Sequence, residues 1–339
     1  MTASIQPLRA DYAKAPSIDR LMALVGQDLE AVNQIIVERM QSPVAIIPQL
    51  AGHLIASGGK RLRPMLLLAA AKLLGYEGTR HHKLAASVEF IHTATLLHDD
   101  VVDGSNLRRG RKTANIIWGN QPSVLVGDFL FGRSFELMVE DGSLRVLQIL
   151  SRVAAIMAQG EVDQLTTARD VETTEERYLG VITAKTAVLF AASCQVAAAI
   201  MDSDAATEAA MEAYGRYLGI AFQLVDDALD YASDAAVMGK SVGDDFREGK
   251  VTLPMILAYQ RGTEEEREFW RRTVGRLKQE PEDLNRAIAI LNRHGAIRET
   301  LERARHYGDM AKDALAGLPD GEAKDCLLET VDFAIARAF

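Results

Sequence analysis

Two short acidic runs carry the residue types best suited to chemistry: DDVVD, Asp99 to Asp103, and DDALD, Asp226 to Asp230. On a helix, the outer carboxylates of each run project from one face, about 40° apart in angle and about 6 Å apart in rise. Carboxylates so placed can share a hard cation. Oxygen donors of this kind suit Mg²⁺, which usually keeps water and phosphate oxygens as its other ligands. Either run alone could be a solvated helix end, because like charges at this spacing cost only about 0.2–0.5 kcal/mol. Two such ends, each following an apolar run and each lacking a neutralising lysine, are most simply satisfied by facing one another across a cleft that holds metal and an anionic ligand.

Basic residues stand where such a ligand would need them. Lys60, Arg61 and Arg63 precede an apolar helix beginning near Pro64, where backbone amides and the helix dipole add to their pull on an anion. A basic surface turn is the plainer alternative. Arg108 and Arg109 follow the first acidic run, and guanidinium forks bind phosphate oxygens bidentately. Lys185 and Thr186 interrupt an apolar helical face, either as a lysine reaching outward or as a phosphate contact. His92 lies seven residues before Asp99 and Gln223 three before Asp226, each near the face of its aspartate. A Gly-rich loop with Lys240, Asp244, Asp245 and Lys250 lacks the phosphate-loop arrangement of nucleotide sites.

The elements that position these groups read as helices. Ser17 offers an N-cap for an apolar stripe from Ile18 to Met40, and a second helix runs from about Pro43 to Ser57 before Gly58-Gly59. Helical patterns continue from Ser143 to about Arg169 and from Arg177 to Met201. Four amphipathic helices follow near 264–278, 282–293, 295–316 and 321–338, read as a supporting layer. No alternating strand pattern of useful length occurs, so residues 17–339 are expected to form one all-α domain behind a loose arm, 1–16. The net charge of −9 argues against nonspecific nucleic-acid binding, and 48% hydrophobic content suffices for a large core. Cys194 and Cys326 have no metal-ligand spacing, no signal core opens the chain, and Thr186 to Met201 is too short for a membrane span. Cytoplasmic residence is expected.

With GGKRLRP, DDVVD followed by RR, KT, FQLVDDALD and GKSVGDDFREGK in that order, the sequence resembles the trans-isoprenyl diphosphate synthases across roughly residues 55–255. The resemblance implies that family's isoprenoid synthase fold, with antiparallel helices around a deep central cavity, and a homodimer. It also implies head-to-tail condensation of isopentenyl diphosphate with an allylic diphosphate. By motif match, Asp99, Asp103 and Asp226 correspond to the Mg²⁺ ligands, three ions being expected with substrate bound, and Asp100, Asp227 and Asp230 complete the acidic walls. Arg108, Lys185, Thr186, Gln223, Lys240 and Lys250 match positions that contact the allylic diphosphate. Lys60, Arg63, His92 and Arg109 match the isopentenyl diphosphate site. No side chain stands out as the base, and the resemblance assigns that role to the released diphosphate.

A bulky ring four or five residues before Asp99 would close the tail channel about 6 to 7.5 Å below the metals. Thr95 and Ala94 occupy those places, where short-chain relatives tend to carry aromatics. The sequence therefore resembles the long-chain branch, octaprenyl to decaprenyl, that supplies quinone side chains, with possible hand-off of product at a membrane. Lys112, where many short-chain relatives have proline, points the same way. A short- or medium-chain synthase is the alternative. A terpene cyclase would lack the second DDxxD and have no use for GGKRLRP, and a non-catalytic subunit could have lost the carboxylates that are complete here.

Overall fold

The computed structural model describes residues 16–56, 59–108, 110–232 and 243–337; the expected N-terminal arm, Arg109 and Lys240 lie outside them. Among the described residues the chain is helical apart from a two-residue antiparallel ladder, Leu107–Arg108 (β1) against Arg111–Lys112 (β2). The first helices are α1 (Asp19–Arg39), α2 (Ile46–Ala56), α3 (Leu62–Leu73) and α4 (Arg80–Val102). Helix α1 begins one residue later than Ser17 would set it, and the Ser17 hydroxyl accepts the Asp19 N–H at 3.0 Å. After the ladder come α5 (Ala114–Trp118), α6 (Asn120–Asp141) and α7 (Leu144–Thr167), the last capped by the Ser143 hydroxyl.

The segment expected as one helix over 177–201 is in fact α8 (Glu175–Ile182), a π turn (Thr183–Ala187) and α9 (Val188–Ile200). Taken together, Glu175–Ile200 is long and apolar enough to cross a membrane, but 61% of its apolar window is buried inside the protein. It is a core helix. Helix α10 (Ala205–Ala232) is followed by α11 (Asp244–Glu248), α12 (Leu253–Arg261), α13 (Glu264–Trp270), α14 (Asp283–Arg293), α15 (Ala296–Ala314) and α16 (Glu322–Ala336). Thr263 and Glu266 form a reciprocal capping box at the start of α13.

Two apolar clusters hold these helices together. One joins α1, α3, α4, α6, α7, α9 and α16 through residues such as Leu66, Phe90, Leu130 and Phe190; the other joins α8 to α11–α15 through Phe246, Met255, Trp270 and Leu291. Helix α10 enters both, with Met211 and Tyr214 in the first and Leu224 and Leu229 in the second. The second acidic run lies in the part of α10 that packs in the second cluster, between Leu224 and Tyr231. Helix α4, buried along α1, α3, α6 and α9, delivers the first.

Candidate active site

A cleft of about 320 Å³ is lined from both sides, by Val102 and Asp103 at the end of α4 and by Gln223 and Asp227 on α10. Lys185, Thr186, Asp245 and Lys250 complete its polar wall. The two acidic ends thus face a common space. Lys250 bridges it, with Nζ 3.5 Å from Asp103 Oδ2 and 2.6 Å from Glu248 Oε2. Burial alone would lower this ammonium's pKa, but the carboxylates of Asp245, Asp103 and Glu248 more than offset that and raise it.

The π turn aims Lys185 and Thr186 into the same space, a widened helical turn being a common way to present side chains at functional sites. Lys185 Nζ lies 3.8 Å from Asp99 Oδ2 and 2.9 Å from Glu161 Oε1. Burial lifts the Asp99 carboxyl to about 6, with Lys185 opposing and Glu161 and Asp103 reinforcing the shift. From Thr186 a hydrogen-bonded line runs inward: its hydroxyl donates to Gln223 Oε1 at 2.9 Å, and Gln223 Nε2 donates to Asp227 Oδ1 at 2.7 Å. The Tyr178 hydroxyl donates to the other Asp227 oxygen. Desolvation, helped by Asp245, raises the Asp227 carboxyl well above the usual range.

The six aspartates are not equivalent. Asp99, Asp103 and Asp226 keep part of their surface open, and each stands beside a cation: Lys185, Lys250 and Arg337 respectively. Asp100 is 1% exposed and accepts from Arg108 Nε and Nη2 at 2.9 and 2.7 Å. Asp230 takes the backbone N–H groups of Asp244 and Asp245 at 3.2 and 3.0 Å, so it caps α11 and fixes the loop that carries Lys250. Burial and Asp245 raise its carboxyl to about 7. Asp99, Asp103 and Asp226 each offer carboxylate oxygens, the donor type that Mg²⁺ prefers.

A second basic group adjoins the first. Arg63 Nη1 lies 3.2 Å from His92 Nε2, and its guanidinium stacks 4.4 Å from the Phe190 ring centroid. Lys60 Nζ sits 4.3 Å over Phe333 of α16. Arg337, just beyond α16, donates to Asp226 and stacks 4.3 Å over Phe222. Arg61, by contrast, turns to Glu89. Below the acidic end of α4, Ala94 is fully buried, whereas Thr95 is partly exposed and donates to the His92 carbonyl at 2.8 Å.

Three residues here escaped the sequence reading: Glu161, Tyr178 and Arg337. None of the three falls within a motif that the sequence sets apart. Only the GEV turn of α7, with a glycine beside the glutamate, hinted at a close helix approach.

The polyprenyl synthetase family profile matches residues 44–291. The chain belongs to the polyprenyl synthetase family. It is 43% identical over 325 residues to octaprenyl diphosphate synthase of Escherichia coli K12, covering 95% of this chain and 99% of that one. The crystal structure of a polyprenyl synthase from Caulobacter crescentus CB15, complexed with calcium and isoprenyl diphosphate, matches this synthase with a TM-score of 0.93 and 52% identity. That match covers 97% of this chain and 100% of the other. A decaprenyl diphosphate synthase from Rhodobacter capsulatus matches with a TM-score of 0.92 and 50% identity, covering 95% and 100%. The synthase is accordingly a prenyltransferase with the all-α isoprenoid synthase fold.

Proposed function

We propose that this synthase extends an allylic diphosphate, geranyl or farnesyl, with isopentenyl diphosphate into an octaprenyl to decaprenyl all-trans diphosphate, in a Mg²⁺-dependent reaction that feeds quinone side-chain synthesis. The observation that carries the reading is the single cleft in which Asp103, Lys185, Gln223, Asp227 and Lys250 meet. The names of the octaprenyl and decaprenyl relatives support the product class. Mg²⁺, three ions with substrate bound, would be held by Asp99, Asp103 and Asp226 and would neutralise charge growing on the departing diphosphate.

The chain's own residues do the rest. Lys185, Lys250, Arg108 and Lys240 stabilise the leaving diphosphate electrostatically, while Thr186 and Gln223 orient it. Lys60, Arg63, His92 and Arg109 hold the isopentenyl diphosphate with its double bond toward the allylic carbon, a gain from positioning. The allylic C–O bond breaks to give a carbocation and diphosphate, the isopentenyl double bond attacks C1 of the cation, and the proton then lost passes to the released diphosphate. The hydrocarbon grows past Thr95 into the apolar helices.

Residues 17–339 are read as one catalytic domain acting in the cytoplasm, with transient membrane contact for product hand-off. A homodimer is supported by Leu125 and Val139, 66% and 65% exposed and two heptads apart on α6. Incubating the purified protein with labelled isopentenyl diphosphate, farnesyl diphosphate and Mg²⁺, then sizing the dephosphorylated products, tests the whole. Eight to ten isoprene units are expected; products no longer than geranylgeranyl would refute the long-chain reading.

A further inference from the structure

Lys185 touches a carboxylate that neither acidic motif supplies. Glu161 on α7 places Oε1 2.9 Å from Lys185 Nζ, while Asp99 Oδ2 lies 3.8 Å from the same nitrogen. The ammonium is therefore in contact with Glu161 and only near Asp99. Gly160 makes this contact possible: a Cβ there would stand 2.7 Å from the Ala184 Cβ and 3.4 Å from the Lys185 backbone nitrogen. Helix α7 consequently lies directly on the π turn, and the next residue meets the lysine. All three side chains are well under one-third exposed, at 28%, 25% and 16% for Glu161, Lys185 and Asp99, so solvent screens their interaction only in part.

The order of charges matters. A lysine facing one partly buried carboxylate closes onto it and competes with any cation for the same oxygens. A second carboxylate at contact distance splits that attraction and holds the ammonium to one side. We propose that Glu161 is a positioning residue for the synthase reaction: it parks Lys185 beside Asp99, leaving the Asp99 oxygens to the divalent cation and the ammonium to the diphosphate. The inference rests on the roles given above to Asp99 and Lys185. It also carries a directional consequence, because without Glu161 the lysine becomes an inhibitor of metal binding.

The test is Mn²⁺ binding, followed by electron paramagnetic resonance in the presence of inorganic diphosphate, for Glu161→Ala, the isosteric Glu161→Gln, the shorter Glu161→Asp, Lys185→Gln and the Glu161→Ala/Lys185→Gln double variant. Glu161→Ala and Glu161→Gln are expected to weaken Mn²⁺ binding at least fivefold and to raise the Mg²⁺ concentration for half-maximal turnover in parallel, with partial recovery in Glu161→Asp. In the Lys185→Gln background, removing Glu161 is expected to change Mn²⁺ affinity less than twofold, the non-additivity that marks direct coupling. Unchanged Mn²⁺ affinity in both Glu161→Ala and Glu161→Gln, or an equal loss with and without Lys185, overturns the proposal. Asp99→Ala run alongside separates the two levels: if it too leaves Mn²⁺ affinity intact, the reading of the metal site itself is wrong, whereas loss in Asp99→Ala alone sinks only the role of Glu161.

Discussion

Lys250 Nζ reaches Asp103 Oδ2 at 3.5 Å, joining residues 147 positions apart in sequence. The contact ties the loop behind the second acidic run to the end of the helix that carries the first. Lys250 also faces Asp245 and Glu248, so its ammonium stays charged at any working pH. Lys250→Met should therefore leave three carboxylates without their countercharge and the allylic diphosphate without a donor. A loss of kcat/KM for the allylic substrate of at least ~100-fold is expected, with a smaller change in KM for isopentenyl diphosphate. Steady-state kinetics at saturating Mg²⁺ decide it, and equal effects on both substrates would count against a leaving-group role.

Asp99 and Asp226 belong to the two acidic runs, on α4 and α10, and each is met by a cation, Lys185 and Arg337 respectively. Asp99→Ala or Asp226→Ala is expected to cut turnover by more than ~1000-fold at saturating Mg²⁺ while leaving far-ultraviolet circular dichroism and the melting temperature close to those of the parent. Asp100→Asn should behave differently. Its carboxylate is buried against Arg108, with a second oxygen that has no partner, so that variant should lose stability as well as rate. Near-parental turnover in the first two variants would remove the two-sided metal site.

The proposed tail channel puts positions 94 and 95 to the test. Ala94 is fully buried, so a phenylalanine there must displace packed neighbours at a cost of about 1–3 kcal/mol. Thr95 is partly exposed, and a ring at that position has more room. Both Ala94→Phe and Thr95→Phe are expected to shorten the products, with Thr95→Phe keeping the higher melting temperature. Chromatography of the dephosphorylated prenols reads the length, and an unchanged distribution in both would remove these positions from length control.

Away from the cleft, roughly 25 Å along α4 from Asp99, His81 and His82 converge on Asp28. His82 Nε2 is 2.9 Å from Asp28 Oδ1, and Lys72 Nζ is 2.8 Å from Oδ2, so both carboxylate oxygens are occupied. His81 is 5% exposed, and burial together with its neighbour His82 pushes its pKa down to about 4. A depressed histidine pKa means that the unfolded chain takes up the proton first. The stability it contributes is complete above about pH 6.5 and is lost as pH falls toward about 4, by on the order of 3 kcal/mol. Urea midpoints at pH 7 and pH 5 are expected to differ less in His81→Gln than in the parent; identical differences would show that His81 does not titrate with folding.

Much of this was legible in the sequence because charge on an apolar helix is costly and therefore conspicuous. The paired DDxxD runs, the KRLR cluster and Lys185 all stood out in that way. What periodicity could not show was geometry that departs from a regular helix. The π turn at Thr183–Ala187 reorients Lys185 and Thr186 without leaving a pattern in residue types. Nor could spacing separate Asp230, which caps α11, from Asp226 four residues earlier, since both fit the same helical face. Arg337 was hidden for a different reason. Helix α16 was taken for support, and only its packing on α3 and α10 carries the following arginine to Asp226.

The π turn is held at its working distance from α10 by the absence of a side chain. A Cβ on Gly219 would lie 2.6 Å from the Ala187 Cα and 2.9 Å from its Cβ, contacts too short to be relieved by turning a flexible side chain. Gly219 sits one helical turn before Gln223, and Ala187 directly follows Thr186, so the approach permitted at Gly219 also sets the 2.9 Å Thr186–Gln223 hydrogen bond. Gly219→Ala must push the turn outward. It is expected to destabilise the protein by about 1–3 kcal/mol despite alanine's better helix propensity, and to raise KM for the allylic diphosphate several-fold while KM for isopentenyl diphosphate moves less. The two readouts answer separate questions. A lower melting temperature with unchanged KM would mean that the close approach serves packing alone, and a parental melting temperature would mean that the π turn and α10 are not in tight contact at Gly219.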